Sequence, residues 1–311
     1  MALFTLSYGY PFPQGVLLSL ALSVLYVVTI YVHKPANAAR AKTGAIDRND
    51  PAIVKWRVKI IGIFTVLSLI GTPLMVSKLS AVPLGKVIAQ LGILPGFLYD
   101  EGLKFSRETL VLYIRDIFQD VMLLSILYIG PLINDIFFES ESPLMMIQHY
   151  VSQISTLHGF RDLIVGPLTE EIVYTSLTIL ILIQVPNITT YQLIFIPPLF
   201  FSVAHLHHAY EMYSTSTIPL KIIILSTLFQ MMYTFLFGIL TDFVFLRQTN
   251  LWSCFVLHSL CNFMGVPSMS VDTTKFKYWN YVYYALLIVG MYGFTKTLFP
   301  LTESSMSLTP F

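Results

Sequence analysis

From Gly15 to Val32 the chain carries no charged residue, and apolar runs of similar length return as far as Phe299. The bilayer core holds no water, so every backbone N–H and C=O in such a run must pair within its own segment. A helix satisfies this demand, at about 20 residues per crossing. The runs therefore predict an all-α polytopic membrane protein of about eight transmembrane helices enclosing an intramembrane cavity. Charged residues make up only 11% of the chain, against about 25% in soluble domains.

The expected spans are Gly15 to Val32, Ile60 to Val76, Ile117 to Ile133 and Leu163 to Ile183. Tyr191 to Leu206, a stretch within Ile218 to Thr241, Asn250 to Val266 and Tyr281 to Phe299 complete the set. Residues 83 to 99 are apolar but broken by Pro83, Lys86, Gly92, Pro95 and Gly96, and read as re-entrant or interfacial. Residues 134 to 162 are polar, with Asp135, Glu139 and Glu141, and contain a partly amphipathic piece from Leu144 to Leu157 suited to a surface helix.

Lys34, Arg40, Lys42, Arg48, Lys55, Arg57 and Lys59 follow the first run, whereas no Lys or Arg precedes it. The positive-inside rule places residues 33 to 59 in the cytosol. It also makes the first run an anchor rather than a cleaved signal, although Ala36-Asn37-Ala38 imitates a cleavage site. The net charge of +1 implies no nucleic-acid partner. Cys254 and Cys261 lie a heptad apart in one span, too distant to bridge each other. The chain reads as a single integral-membrane domain, 1–311, with its functional core at about 160–266.

Inside this apolar frame, Glu170 and Glu171 stand near the start of a run that continues through Gln184. A charge at membrane depth costs at least ~2.5 kcal/mol, so such residues face a protein interior or a wet cavity. Phe201 and His205 share a helix face, from which His207 points away. His258 and Asn262 share a face in the middle of the seventh span. Each group has a plain structural alternative: a helix N-terminus in the headgroups for Glu170 and Glu171, interfacial capping for His205, interhelical hydrogen bonding for His258 and Asn262. Their convergence at one depth points instead to a catalytic cavity.

A carboxylate and a histidine sharing one water can deprotonate it for attack on a carbonyl, while a second histidine and an amide donate to the oxyanion. That chemistry is hydrolysis of an amide within or beside the membrane. Two other classes stay open on the residues alone. A membrane zinc protease would use some of His205, His207, His208, His258 and a glutamate as ligands, although no His-Glu-x-x-His run occurs. A transporter or lipid-binding protein would use the same side chains as an ion path. Cys261 beside His258 also suggests a thiol, but a small soft packing residue is the simpler account.

The ordered triplet Glu170-Glu171, Phe201-x-x-x-His205 and His258-x-x-x-Asn262 resembles the CAAX prenyl endopeptidases. These are the Ras-converting type II CAAX proteases, within the wider abortive-infection family of intramembrane glutamic proteases. The resemblance extends to Arg48-Asn49-Asp50-Pro51, to Leu91 through Gly96, and to the Ala204-to-Glu211 run, and it is nearest to the fungal members. It implies a metal-free, cofactor-free, multi-pass enzyme of the endoplasmic reticulum membrane, its site accessible from the cytosol. The enzyme would remove the last three residues of prenylated Cys-a-a-X proteins such as Ras-type small GTPases and a-factor-type peptides, in contact with membrane lipid. Carried over by position, Glu170 and His205 would activate water, His258 and Asn262 would stabilise the oxyanion, and Glu171 would support. One departure is Thr175, which stands where the family's first motif usually has Arg and removes a possible charge partner of Glu171.

Overall fold

Helix starts are written locally. In α1 (Phe12–Tyr31), prolines flank the first position, where a missing N–H costs nothing. In α2 (Pro51–Ser80), Asp50 accepts from the amides of Ala52 and Ile53 ahead of Pro51, and Ala81 ends the helix in the left-handed region at φ 55°. The computed structural model describes residues 9–32, 47–137 and 142–311. Ala36-Asn37-Ala38, Lys34, Arg40, Lys42, Glu139 and Glu141 lie outside the described residues.

The 83–99 stretch does not cross. It holds α3 (Leu84–Gln90) of 7 residues, roughly 10 Å of helix. An antiparallel hairpin of β1 (Phe97–Tyr99) and β2 (Leu103–Phe105) follows, with Phe97 opposite Phe105. Between them the chain tucks into the protein: Ser176 donates to the Leu91 carbonyl at 2.8 Å, and Tyr113 donates to the Gly92 carbonyl. Gly92 has φ +63°, and a Cβ there would stand 2.7 Å from the Thr249 carbonyl oxygen. Only glycine meets both conditions without strain.

The third expected span is displaced. α4 (Arg107–Leu127) begins ten residues before Ile117, because Ser106 caps it through the Thr109 amide. It stops short of Ile133, where Pro131 lacks the N–H that would continue it, and α5 (Ile129–Phe137) carries on from the break. Beyond α6 (Pro143–Ile154), which buries no residue, comes α7 (Leu157–Leu182). α8 (Thr190–Ala204) opens with a capping box of Thr189 and Gln192 and leads into α9 (Leu206–Thr215). α10 (Leu220–Gln248), α11 (Leu251–Met264) and α12 (Trp279–Leu301) complete the chain.

Among the described residues, six helices are long and apolar enough to cross a membrane: α1, α2, α7, α8 with α9, α10 and α12. α11 is apolar but has only 14 residues, and α4 carries Arg107, Glu108, Arg115, Asp116 and Asp120. The protein is an all-α polytopic membrane protein. Leu17, Leu67, Leu225 and Ile288 stand more than half exposed on these helices, as lipid-facing residues do. α7 is the exception. Its apolar stretch is 72% buried, against 11% to 33% for the other five, because α1, α2, α8, α10 and α11 pack around it. Its Val173, Leu177, Ile179 and Leu182 are fully enclosed.

Candidate active site

The central helix is not a regular α-helix. Arg161–Val165 and Glu171–Leu177 form π-helical turns within it, a distortion that recurs at functional sites. In the second turn Thr178 Oγ1 donates to the Val173 carbonyl, five residues back, at 2.8 Å. The wider turn begins at Glu171, so the paired carboxylates leave the helix in different environments. Glu171 is 2% exposed, whereas the Glu170 side chain is 24% exposed and lines a cavity of about 960 Å³.

The same cavity is lined by His205, His258 and Asn262. Four candidate residues from three separate helices, and the turn beside one of them, therefore meet at one space. Glu171 supports from behind: it accepts from His258 Nδ1 at 2.7 Å and from the Thr175 hydroxyl at 2.8 Å. The charge partner that Thr175 does not supply is thus replaced by the His258 ring. His258 Nε2 faces Glu170 Oε2 at 3.6 Å. That gap is too long for a direct hydrogen bond and leaves the carboxylate open to a water.

His205 sits where α8 ends. Its amide bonds the Ser202 carbonyl at 3.1 Å in a tightened last turn, and its Nδ1 donates to the Phe201 carbonyl at 2.8 Å. A carbonyl only accepts, so Nδ1 carries the proton and Nε2 keeps a lone pair. Phe201 packs edge-on against both His205 and His258, with ring centroids 4.9 and 5.9 Å away. The break at His205 also corrects one expectation. His207, predicted to point away, lines the cavity with His208, because the chain turns before α9 begins.

Asn262 follows His258 by one turn towards the end of the helix. It lies in the last turn of α11, is exposed to the cavity, and donates from Nδ2 to the Asp162 carbonyl at 3.0 Å. One of its two amide N–H groups is therefore already engaged in holding the first π-turn. Cys254 is buried and donates to the Thr241 carbonyl, and Cys261 shows no carboxylate or histidine hydrogen bond among the described contacts.

Several lining residues carried no signal of their own in the sequence. Phe237 stacks obliquely on His258 at 4.7 Å, and with Phe243, Met291, Phe294 and Leu298 it adds apolar surface to the cavity wall. Arg48, Arg57, Arg161 and Asp162 add charged groups to it. His207 and His208 of the wall, with Glu211 behind them, bring potential ligand atoms within 4.8 Å of one another. Arg57 donates to Glu211, and Arg48 lies 3.5 Å from it. Two guanidinium cations thus already occupy the carboxylate, and a divalent cation would have to sit against both.

A family model described as type II CAAX prenyl endopeptidase Rce1-like matches residues 152–264. The CAAX prenyl protease 2 of Saccharomyces cerevisiae is 33% identical, with 91% of this chain and 94% of the relative aligned. The probable CAAX prenyl protease 2 of Schizosaccharomyces pombe is 26% identical over 90% of this chain and 91% of the relative. The CAAX prenyl protease 2 of Homo sapiens is 29% identical over 80% of this chain and 70% of the relative. No solved structure matches the chain.

Proposed function

The chain belongs to the type II CAAX prenyl endopeptidase family, and on that premise we propose that Glu170 and His205 activate the water that cleaves the substrate. The protein is a CAAX-processing protease. Its substrates are prenylated proteins ending in Cys-a-a-X, among them Ras-type small GTPases and a-factor-type peptides.

The observation that carries the assignment of residues is the shared cavity, whose wall holds Glu170, His205, His258 and Asn262 together with a set of apolar side chains. The apolar part of the lining, with Phe237, Phe243 and Phe294, suits a prenyl chain. The carbonyl of the prenylated cysteine then lies among the polar side chains. Water held between the Glu170 carboxylate and the His205 Nε2 lone pair loses a proton as its oxygen attacks that carbonyl carbon. The carbonyl oxygen gains negative charge and takes hydrogen bonds from His258 Nε2–H and the second Asn262 N–H. Collapse breaks the C–N bond, and the proton passes to the departing amine of the aaX tripeptide. Glu171 does not touch the reacting atoms; its charge favours the doubly protonated His258 that can donate from Nε2 while Nδ1 remains bonded.

Arg48 and Arg57 line the cavity and belong to the basic 33 to 59 stretch. By the positive-inside rule the cavity opens there to the cytosol, where prenylated chain ends arrive, and the membrane is that of the endoplasmic reticulum. The whole chain acts as one integral-membrane domain. The test is incubation of purified protein with a prenylated and an unprenylated Cys-a-a-X peptide, with products identified by mass. Release of aaX from the prenylated peptide alone is expected, and absence of that product refutes the reading.

A further inference from the structure

Three residues of Arg48-Asn49-Asp50-Pro51 have structural tasks. Asp50 caps α2 and Pro51 begins it. The Asn49 carbonyl accepts from His158 Nε2 at 2.9 Å, which ties the loop to the start of the central helix. Arg48 takes no part in either task. Its side chain, 38% exposed, projects into the cavity wall.

The charges around it do not balance. Arg57 is a neighbour in the same wall and donates to Glu211 Oε1, while Arg48 Nη1 stands 3.5 Å from Glu211 Oε2. Arg48 Nη1 also lies 3.3 Å from His208 Nδ1, which itself stands 3.6 Å from Glu211 Oε2. Glu211 is 5% exposed and sits behind the two arginines rather than in the wall. One enclosed carboxylate therefore serves two guanidiniums. The other acids of the wall are Asp162, paired with Arg161 at 2.6 Å, and Glu170, beside His258. Among the described residues, no further carboxylate lines the cavity.

We propose that Arg48, steadied with Arg57 by Glu211, binds the free α-carboxylate at the substrate's C-terminus, so that the enzyme measures its cleavage point from the chain end. The inference rests on the protease reading above. Arg48 is joined to His205 through His208: the two histidine rings are 5.6 Å apart, and the guanidinium lies 3.3 Å from His208 Nδ1. The tail from the scissile carbonyl to the terminal carboxylate is three residues, about 10 Å when extended at ~3.3 Å each, so the group that meets the carboxylate must stand within a few side chains of His205, as Arg48 does. A guanidinium held in position by a buried carboxylate is preorganised for such a ligand, and the pairing is charge-assisted.

The test uses the full-length, detergent-purified protein and one prenylated Cys-a-a-X peptide made as the free acid and as the C-terminal amide. Wild type is expected to prefer the acid about tenfold to a hundredfold in kcat/KM, the range of one charge-assisted contact, mostly through KM. Arg48→Ala should bring that ratio close to one, and Arg48→Lys should restore part of it. Loss of a merely structural tie would lower acid and amide cleavage in proportion and leave the ratio intact. Arg48→Gln, which keeps length and a donor towards His208, replaces the alanine variant if that protein does not fold. Equal cleavage of acid and amide by wild type, or an unchanged ratio in the folded Arg48 variant, overturns the carboxylate subsite. Failure of wild type to cleave either peptide overturns the protease reading instead.

Discussion

Replacing Glu171 by Gln tests the arrangement behind the cavity. Two donors, His258 Nδ1 and the Thr175 hydroxyl, point at its two carboxylate oxygens from 2.7 and 2.8 Å. A glutamine offers one acceptor oxygen and one NH2, so it keeps the bond from His258 Nδ1 only as a neutral one and obliges the Thr175 hydroxyl to turn and accept. It also removes the negative charge that favours a second proton on His258. A unit charge at ~4 Å contributes about 4 kcal/mol at an effective dielectric of 20. The neutral hydrogen bond that glutamine can retain recovers about 1 kcal/mol of that. The remaining ~3 kcal/mol corresponds to roughly two orders of magnitude in kcat. KM should change little, because Glu171 does not line the cavity that receives the peptide. Single-turnover cleavage of a prenylated peptide by monodisperse, detergent-purified variants measures kcat, and a melting curve checks the fold. A folded Glu171→Gln enzyme with wild-type kcat would refute the argument that Glu171 acts through His258.

Glu170→Gln keeps shape and removes the base, so it should lower kcat more than Glu171→Gln does, by at least three orders of magnitude, with an unchanged melting temperature; residual activity above that of Glu171→Gln refutes its assignment. Asn262→Ala should lower kcat by two to three orders of magnitude, as loss of one oxyanion donor does, and should also lower the melting temperature, because its amide holds the Asp162 carbonyl. A stability loss with unchanged kcat would leave Asn262 a purely structural residue. Cys254→Ala with Cys261→Ala should retain activity, since neither thiol reacts; a stable but inactive double variant, together with inactivation of wild type by alkylation at Cys261, points to a thiol nucleophile. Gly92→Ala should destabilise the protein by more than ~1 kcal/mol, because its left-handed backbone and the Thr249 carbonyl 2.7 Å from the new Cβ both oppose it; an unchanged melting temperature contradicts that reading.

What the sequence determined by itself are the properties whose energetic cost is local. Apolar runs fix where α1, α2, α7, α8, α10 and α12 lie, because each run must satisfy its own backbone bonds in the absence of water. The cost of charge at depth likewise singled out Glu170, Glu171, His205 and His258. α4 was misplaced because hydropathy registers its charges as an end, whereas Asp116 and Asp120 are enclosed by other helices, 0% and 1% exposed. The tertiary structure alone decided which partner each polar group meets. His258 bonds Glu171 rather than Glu170, and the helix widens into a π-turn at Glu171, a change that no spacing rule based on 3.6 residues per turn anticipates. His207 enters the cavity because the helix breaks at His205, and Arg48 reaches His208 and Glu211 across more than a hundred residues of sequence. Such pairings depend on how helices pack around α7, and a side chain's direction there is set by contacts that its sequence neighbours do not carry.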